Sequence, residues 1–285
     1  MRLRGLLLPA LILALAAPAR AQVFAGAFNA KRDPWEIKLK AGQAAEVRQE
    51  IEAFLAGPGA TASPSDYGDQ HALVGALGLD ARAAVALGDW EGAVASLKRA
   101  SAAADQNFST TEVAFAKLRA EHADRLQAWK GELSEAQGRL DQLNASPGLT
   151  EEQMKLKAQL ETFVAEHKAS IQHSEDALKA MDGALATLRQ EKEDYAKSAS
   201  DWQGFLDREK TDIEAAGGVK AYVAQKAAQV KADDTKPREE RLAYARRLLK
   251  LDAGSPEALR LESALAGRPV AAAPAKKAVP RRKQR

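Results

Sequence analysis

The sequence predicts an all-α protein made of short helical hairpins plus one long antiparallel coiled-coil hairpin. Large apolar residues recur at heptad-like spacing in two stretches, many other apolar positions are alanine, and no stretch alternates β-branched residues as a strand would. The first stretch contains Phe115, Leu118, Leu126, Trp129, Leu133, Leu140 and Leu143. The second stretch contains Leu156, Leu160, Phe163, Ile171, Leu178, Met181, Leu185, Leu188, Tyr195, Trp202 and Leu206.

A short Asn/Ser/Pro/Gly segment, 144–149, separates the two stretches and predicts a tight turn. Two long helices joined by such a turn fold back on each other. In an antiparallel helix pair, the numbers of facing residues have a constant sum. Leu133 with Leu160 and Phe115 with Leu178 both give 293, so the two apolar stretches can face each other. Each stretch also takes two successive four-residue steps, centred on His122 and His167, and such steps locally unwind a supercoil.

Capping boxes predict where the two arms begin: Ser109 with Glu112 for arm one, and Thr150 with Gln153 for arm two. Arm two continues to about residue 215 and outruns arm one. The surplus therefore needs another partner, and we expect it to be the helix that carries Ala93, Val94 and Leu97.

The first 21 residues have the pattern of a cleaved signal peptide. Arg2 and Arg4 precede the apolar run 5–17, and Ala19-Arg20-Ala21 is a small-x-small cleavage site. We predict cleavage after Ala21 and a mature protein that is periplasmic or secreted. No later segment is predicted to cross a membrane, and no cysteine follows the site for lipid attachment.

Charge and cysteine content narrow the function classes. The chain has no cysteine, which excludes thiol catalysis and cysteine-based zinc sites. The formal net charge of +3 combines an acidic body, 22–267 at −7, with a basic tail, 268–285, that carries seven positive and no negative side chains. The tail is rich in Ala, Pro, Lys and Arg, and its composition predicts disorder.

Helical patterns on either side of the coiled coil are short. Pro34 is expected to open a helix at 35–56, and the Gly/Ser/Pro-rich segment 60–70 is expected to be a loop. A helical hairpin follows at 71–104, with its turn at Gly88 and Trp90 close behind. After the coiled coil we expect a helix at 219–232 and a second hairpin at 239–265 with its turn at Asp252–Ser255.

The two short hairpins resemble the tetratricopeptide repeat, a helix-turn-helix unit of about 34 residues. The matching positions in the first hairpin are Ala81, Gly88, Trp90, Ala93, Leu97 and Ala100. The second carries the Leu-Asp-x-x-Ser-Pro-Glu-Ala-Leu junction at 251–259. The first lacks the usual proline at its end, and Arg241 of the second stands where a small residue is expected. The resemblance implies peptide or protein binding on a concave face.

The predicted organisation has five parts. They are a signal peptide at 1–21, an N-terminal repeat-like region at 22–106, the coiled-coil hairpin at 107–215, a C-terminal repeat-like region at 216–267, and the tail at 268–285.

A search for catalytic and metal-binding patterns leaves only weak alternatives. His122 and His167 on the seam suggest a two-histidine metal site, against a role in fixing register, and His71 near Asp66 and Asp69 suggests catalysis. The segment 105–109 matches a bacterial N-glycosylation acceptor, against a helix break capped by its serine. We predict no catalytic residue, no cofactor and no metal.

The prediction for function is an exported, non-catalytic scaffold or adaptor that binds a partner protein through its repeats and coiled coil. The alternative is a holdase chaperone for unfolded outer-membrane or secreted proteins, and an enzyme is the weakest of the three. The partner-binding residues expected at the hairpin tip are Leu143, Pro147, Leu149 and Met154. The tail residues expected to contact an anionic envelope surface are Lys276, Lys277, Arg281, Arg282, Lys283 and Arg285, and nucleic acid is a less favoured partner for them.

Overall fold

The computed structural model describes residues 21–57, 62 and 66–267. Within those ranges the prediction of an all-α fold is confirmed, since every regular element is a helix. The helices are α1 Ala21–Lys40, α2 Ala44–Ala56, α3 Tyr67–Ala86, α4 Trp90–Ala145, α5 Glu151–Ala215, α6 Val219–Ala232, α7 Arg238–Leu251 and α8 Pro256–Ala266. None of the helices in this part of the chain is long and apolar enough to cross a membrane.

The long hairpin consists of α4 and α5. Thr150 caps α5 in the predicted capping box, with Gln153 reaching back to the cap backbone. Cross-helix pairs confirm the antiparallel arrangement: Lys130 contacts Glu175 at 2.9 Å, and Lys98, further from the turn, contacts Gln203 at 3.0 Å.

The line of contact between α4 and α5, here called the seam, pairs residues close to those that the sequence predicts. His122 contacts Ser174, one helical turn along α5 from the predicted position Ile171. The seam also departs from the prediction near the tip, because Leu156 is 46% exposed and Val164 is buried instead.

The predicted helix break at 105–109 is wrong, because α4 runs uninterrupted from Trp90 to Ala145 and Ser109 is an interior helix residue. The polar segment that suggested a break stays helical because it packs. Asn107 is 1% exposed and Phe108 joins a core cluster with Leu185 and Leu188 of α5. Arm one is therefore a direct continuation of the second helix of the first repeat-like hairpin.

Because α4 starts at Trp90, the surplus of α5 meets the partner that the sequence predicted. Leu97 packs with Ala199, and Val94 packs with Leu206 and Trp202. One helix pair, α4 with α5, therefore forms both the projecting part of the hairpin, here called the rod, and the end that packs against the short helices, here called the base.

The N-terminal region differs from the prediction. Pro34 does not open a helix but lies inside α1, and a turn at Gly42, with φ of +81°, separates α1 from α2. Residues before Pro34 stay helical because Phe24 and Phe28 are buried with Trp35 in one aromatic cluster. The predicted loop at 60–70 also ends early, since α3 begins at Tyr67.

The C-terminal helices follow the prediction closely. The expected helix at 219–232 is α6, and the expected hairpin consists of α7 and α8. Ser255 caps α8, with Pro256 at its first position. These three helices share a core that includes Val223, Leu248 and Leu261.

Candidate functional site

An open cleft lies at the base of the rod, where α1, α3, α5 and α7 meet. Its volume is about 1060 Å³. Helix α3 forms the floor, α1 and α5 form the two long walls, and α7 closes one end. Helix α1 runs parallel to α3, because the Ala25 amide donates to Asp69 at 3.1 Å and Phe28 lies over Gly75 further along.

Two glycines on α3 let the walls approach the floor. A Cβ at Gly75 would lie 2.7 Å from the ring of Phe28, and a Cβ at Gly78 would lie 2.4 Å from the hydroxyl of Tyr195. Glycine inside a helix costs up to about 1 kcal/mol relative to alanine, so two of them in one helix indicate a packing requirement. Here the requirement is that Phe28 and Tyr195 rest directly on α3.

Aromatic side chains of α4, α5 and α7 form one side of the cleft. The ring of Trp90 lies 5.7 Å from Trp202, 5.0 Å from Phe205 and 4.9 Å from Tyr244. All four line the cleft together with Tyr195. This arrangement gives the cleft an apolar surface with ring faces and edges available for contact.

Two tyrosine hydroxyls in this wall carry unused hydrogen-bonding capacity. Within the described ranges, neither the Tyr195 hydroxyl nor the Tyr244 hydroxyl donates or accepts a hydrogen bond. Burial raises the pKa of both phenols, with the charge of Glu191 adding to the effect at Tyr195. Both hydroxyls therefore stay protonated and can donate to a ligand.

Charged side chains surround the apolar floor. They are Arg32, Glu36, Arg82, Lys236, Glu239 and Glu240. Lys236 is satisfied by Glu240 at 2.7 Å, and its ammonium also lies 5.7 Å from the ring of Tyr244. The hydrogen bond to Glu240 raises the pKa of Lys236. Glu36 and Glu239 have no ion-pair partner among the described residues, so the α7 end of the cleft has acidic groups to offer.

The opposite end of the cleft carries an imidazole. His71 lies 3.4 Å from Glu191 of α5 and stacks on Tyr67. The hydrogen bond to Glu191 raises the pKa of His71. Asp66 caps α3 by accepting from the Asp69 amide, and Asp69 in turn holds the Ala25 amide. Both aspartates thus accept hydrogen bonds from backbone amides, and the catalytic alternative for His71 stays a hypothesis.

A buried charge network fixes the aromatic wall from behind. Arg247 of α7 is 4% exposed, binds Glu209 of α5 at 2.5 Å and Glu91 of α4 at 2.6 Å, and stacks 5.2 Å from the ring centre of Trp90. Burial alone would lower the pKa of Arg247, but its hydrogen bonds to the two glutamates outweigh burial and raise it. The guanidinium therefore ties α7 to both helices of the rod.

The predicted tip residues are brought together at the far end of the rod. Leu143 and Leu149 are half-buried, Pro147 is exposed, and Met154 is 54% exposed. Leu156 is also exposed, although the sequence placed it in the seam, and it lies on a different face of α5 from Met154. At 1.5 Å per residue, the tip lies about 60 Å along α5 from the cleft.

The histidines on the seam do not meet. His122 contacts Ser174 at 3.3 Å, whereas His167 contacts its own backbone at Phe163 and Glu132 at 2.9 Å. Among the described residues no group of three His, Asp or Glu side chains is arranged to hold a metal ion. This geometry matches a register role for both histidines rather than the shared metal site.

The glycosylation alternative fails for the folded chain, because the Asn107 side chain is buried inside the helix pair. Its Nδ2 has no hydrogen-bond partner within the described residues. The basic tail residues, from Lys276 to Arg285, lie outside the described residues, and their contact with an anionic surface stays a prediction.

Sequence reasoning placed Tyr195 and Trp202 in the seam, but it did not find the cleft that they line. The pair Gly75 and Gly78 was the available signal, because glycines three residues apart mark one close-packed helix face. Arg247 gave no signal, since it lies among other basic residues of an amphipathic helix.

A comparison with protein-family models, curated proteins and solved structures found no match to this chain. The resemblance of the two short hairpins to tetratricopeptide repeats therefore stays a prediction.

Proposed function

We propose that the protein is an exported, non-catalytic adaptor that binds a segment of a partner protein in the cleft between α1, α3, α5 and α7. The observation that carries this proposal is the cleft itself, about 1060 Å³ with an aromatic wall and a charged rim. Binding sites combine a large apolar surface with a few polar groups that orient the ligand, and this cleft has both.

A polypeptide segment suits the shape and chemistry of the cleft. The floor follows α3 from Gly68 to Ala86, which corresponds to about 27 Å of helix. Apolar side chains of a bound segment would lie on Phe205 and Trp202, and its backbone carbonyls would accept from the Tyr195 and Tyr244 hydroxyls. Charges on both sides of the rim would then select the flanking residues of the segment.

The rod gives the adaptor a second surface far from the cleft. Because α4 and α5 both continue from the base into the rod, unbroken helices connect the tip to the cleft. We propose that the apolar residues at the tip, Leu143, Pro147, Leu149 and exposed Met154, make a second partner contact about 60 Å away.

Export is part of the proposal, and the sequence pattern at 1–21 supports it. Cleavage after Ala21 would leave Phe24 and Phe28 in the mature chain, where both belong to the core that α1 forms with α3. N-terminal sequencing of the protein from the expressing cell should find Gln22 first. An intact Met1 terminus on cytoplasmic protein would contradict export.

Photo-cross-linking in the native cell tests the binding proposal. A photoreactive residue replaces Ser198 in the cleft, Met154 at the tip, or Val113, which is 73% exposed on the rod and serves as the control. We expect one or a few discrete adducts from position 198 and none from position 113. Equal adducts from the cleft and the control would refute the proposal.

The same experiment separates an adaptor from a holdase chaperone. A chaperone would give a continuous smear of client adducts from position 198, and the purified protein would suppress aggregation of unrelated unfolded proteins. An adaptor gives the same discrete partner in every preparation and no general suppression.

A further inference from the structure

We infer that the chain's own C-terminal segment, 268–285, is a ligand of the cleft and competes there with the partner. This inference rests on the proposed function in one respect, namely that the cleft binds polypeptide. Three observations support this occupant: where the described chain ends, what the segment is made of, and how its charges are spaced.

The described chain ends at the first turn of α7, on the side of that helix that faces α8. The Arg238 Nε donates to the carbonyl of Leu265 at 2.6 Å, and a Cβ at Gly267 would lie 3.3 Å from the Arg238 guanidinium. Arg238 immediately precedes Glu239 and Glu240, both of which line the α7 end of the cleft. The segment therefore starts about one helix diameter, roughly 10 Å, from the α7 end of the cleft, so a short stretch of chain is enough to bring it there.

The composition of the segment fits an aromatic cleft. It begins Arg-Pro-Val-Ala-Ala-Ala-Pro-Ala-Lys-Lys, so prolines flank a short apolar run and basic residues flank the prolines. Proline-rich segments dock in aromatic-lined grooves at a low entropic cost, because their extended conformation is already restricted. Their free carbonyls accept hydrogen bonds, and the Tyr195 and Tyr244 hydroxyls are free to donate them.

The charges of the segment match acidic groups at both ends of the aromatic wall. Arg268 is the first residue after the described chain, and Lys276 and Lys277 follow the apolar run. Eight residues of extended polyproline-type chain cover about 25 Å. On the protein side, α5 runs about 21 Å from Phe205 to Glu191, with Asp194 beside it on an exposed, shallow hollow that continues from Tyr195.

The alignment that follows is specific. Arg268 pairs with the acidic groups of α7, the run 269–275 covers the aromatic wall, and Lys276 and Lys277 reach Glu191 and Asp194. A partner segment must displace this occupant, so the tail raises the partner concentration that is needed for binding.

Engineered disulfides test the alignment in the full-length chain, which contains no native cysteine. Lys276→Cys is combined either with Asp194→Cys at the cleft or with Asp207→Cys as a matched control. Asp207 is also an exposed aspartate of α5 and lies nearer the α7 end, but it borders a different hollow with Lys98 and Ser101. Under mild oxidation we expect the 276–194 disulfide to form within one chain at least tenfold faster than the 276–207 disulfide.

Equal rates for the two pairs would overturn the inference, as would a cross-linked dimer, which would assign the occupant to a second copy. Vesicles of phosphatidylglycerol provide a further arm: slow formation of both disulfides together with tail-dependent vesicle binding would assign the tail to a membrane surface instead. Deleting 268–285 should increase the yield of partner adducts from position 198 severalfold.

The two proposals fail separately. Partner adducts from position 198 without the 276–194 preference would contradict the tail inference alone. A clear 276–194 preference with no partner adduct, even after the tail is deleted, would contradict the adaptor function alone.

Discussion

Replacing Arg247 by alanine should destabilise the protein more than any single surface substitution, because Arg247 is the cation that α7 places between two glutamates of the rod. The two glutamates are not equivalent. The side chain of Glu91 is 63% exposed and returns to water when the guanidinium is lost, whereas that of Glu209 is 2% exposed and cannot.

The expected loss is therefore dominated by one stranded carboxylate. Leaving a buried charge without its partner costs about 3–5 kcal/mol, whereas losing a solvent-exposed pair costs about 0–1 kcal/mol. Tyr222 offers Glu209 only a long hydrogen bond of 3.5 Å, which does not replace the guanidinium. We expect Arg247→Ala to lower the free energy of unfolding by about 3–5 kcal/mol.

Urea unfolding, followed by circular dichroism at neutral pH, measures this loss. The matched control is Lys130→Ala on the rod, whose pair with Glu175 is exposed on both sides and should contribute no more than about 1 kcal/mol. The double variant Arg247→Met with Glu209→Leu removes both buried charges and should recover most of the loss. A loss below about 1 kcal/mol for Arg247→Ala, or a double variant no more stable than the single one, would refute the stranded-charge reasoning.

Three further substitutions test other parts of the fold. Gly88→Ala should lower the free energy of unfolding clearly more than Gly148→Ala. Both glycines have a positive φ, which costs alanine about 1–2 kcal/mol, but only at Gly88 would the new Cβ meet backbone, that of α7, at 2.3 Å. Equal thermal melts of the two variants would contradict this. Asn107→Ala should change the free energy of unfolding by no more than about 1 kcal/mol, because the loss of side-chain packing is offset by the removal of a buried amide nitrogen that has no described hydrogen-bond partner. A loss near 3 kcal/mol would show that this nitrogen does have a partner. Glu191→Gln should lower the pKa of His71 in an NMR titration, because the Glu191 carboxylate is the main cause of the raised pKa. The stabilisation from this pair should be present at acidic pH and should fade as the pH rises through the pKa of His71. An unchanged titration would show that the imidazole does not contact Glu191.

Much of the fold could be predicted because its signals are local. The spacing of apolar residues, the capping box at Thr150 and the turn at Asp252–Ser255 each depend on neighbours within one or two helical turns. The predicted break at 105–109 failed because tertiary packing overrides such signals. Buried Phe108 packs α4 against α5, and the polar residues beside it therefore stay helical.

The cleft could not be predicted, because residues of five helices line it and up to about two hundred residues of chain separate those helices. Periodicity correctly marked Tyr195 and Trp202 as apolar-face residues, but it could not show that α3 and α7 leave part of that face uncovered. The pairing of Arg247 with Glu209 is equally non-local, since a charged residue looks the same in sequence whether it is solvated or buried.

Cysteine protection at Ser198 tests the central claim, partner binding in the cleft, most directly. Ser198→Cys, in a chain that lacks residues 268–285, is labelled with a membrane-impermeant maleimide in intact cells and, separately, as purified protein, with Val113→Cys as the exposed control. The tail is absent from both samples, so it cannot protect position 198 and a difference between them reports the partner alone. We expect position 198 to react several times more slowly in cells than in the purified protein while position 113 reacts equally in both. Equal labelling of position 198 in the two samples would contradict the claim that the cleft binds a partner.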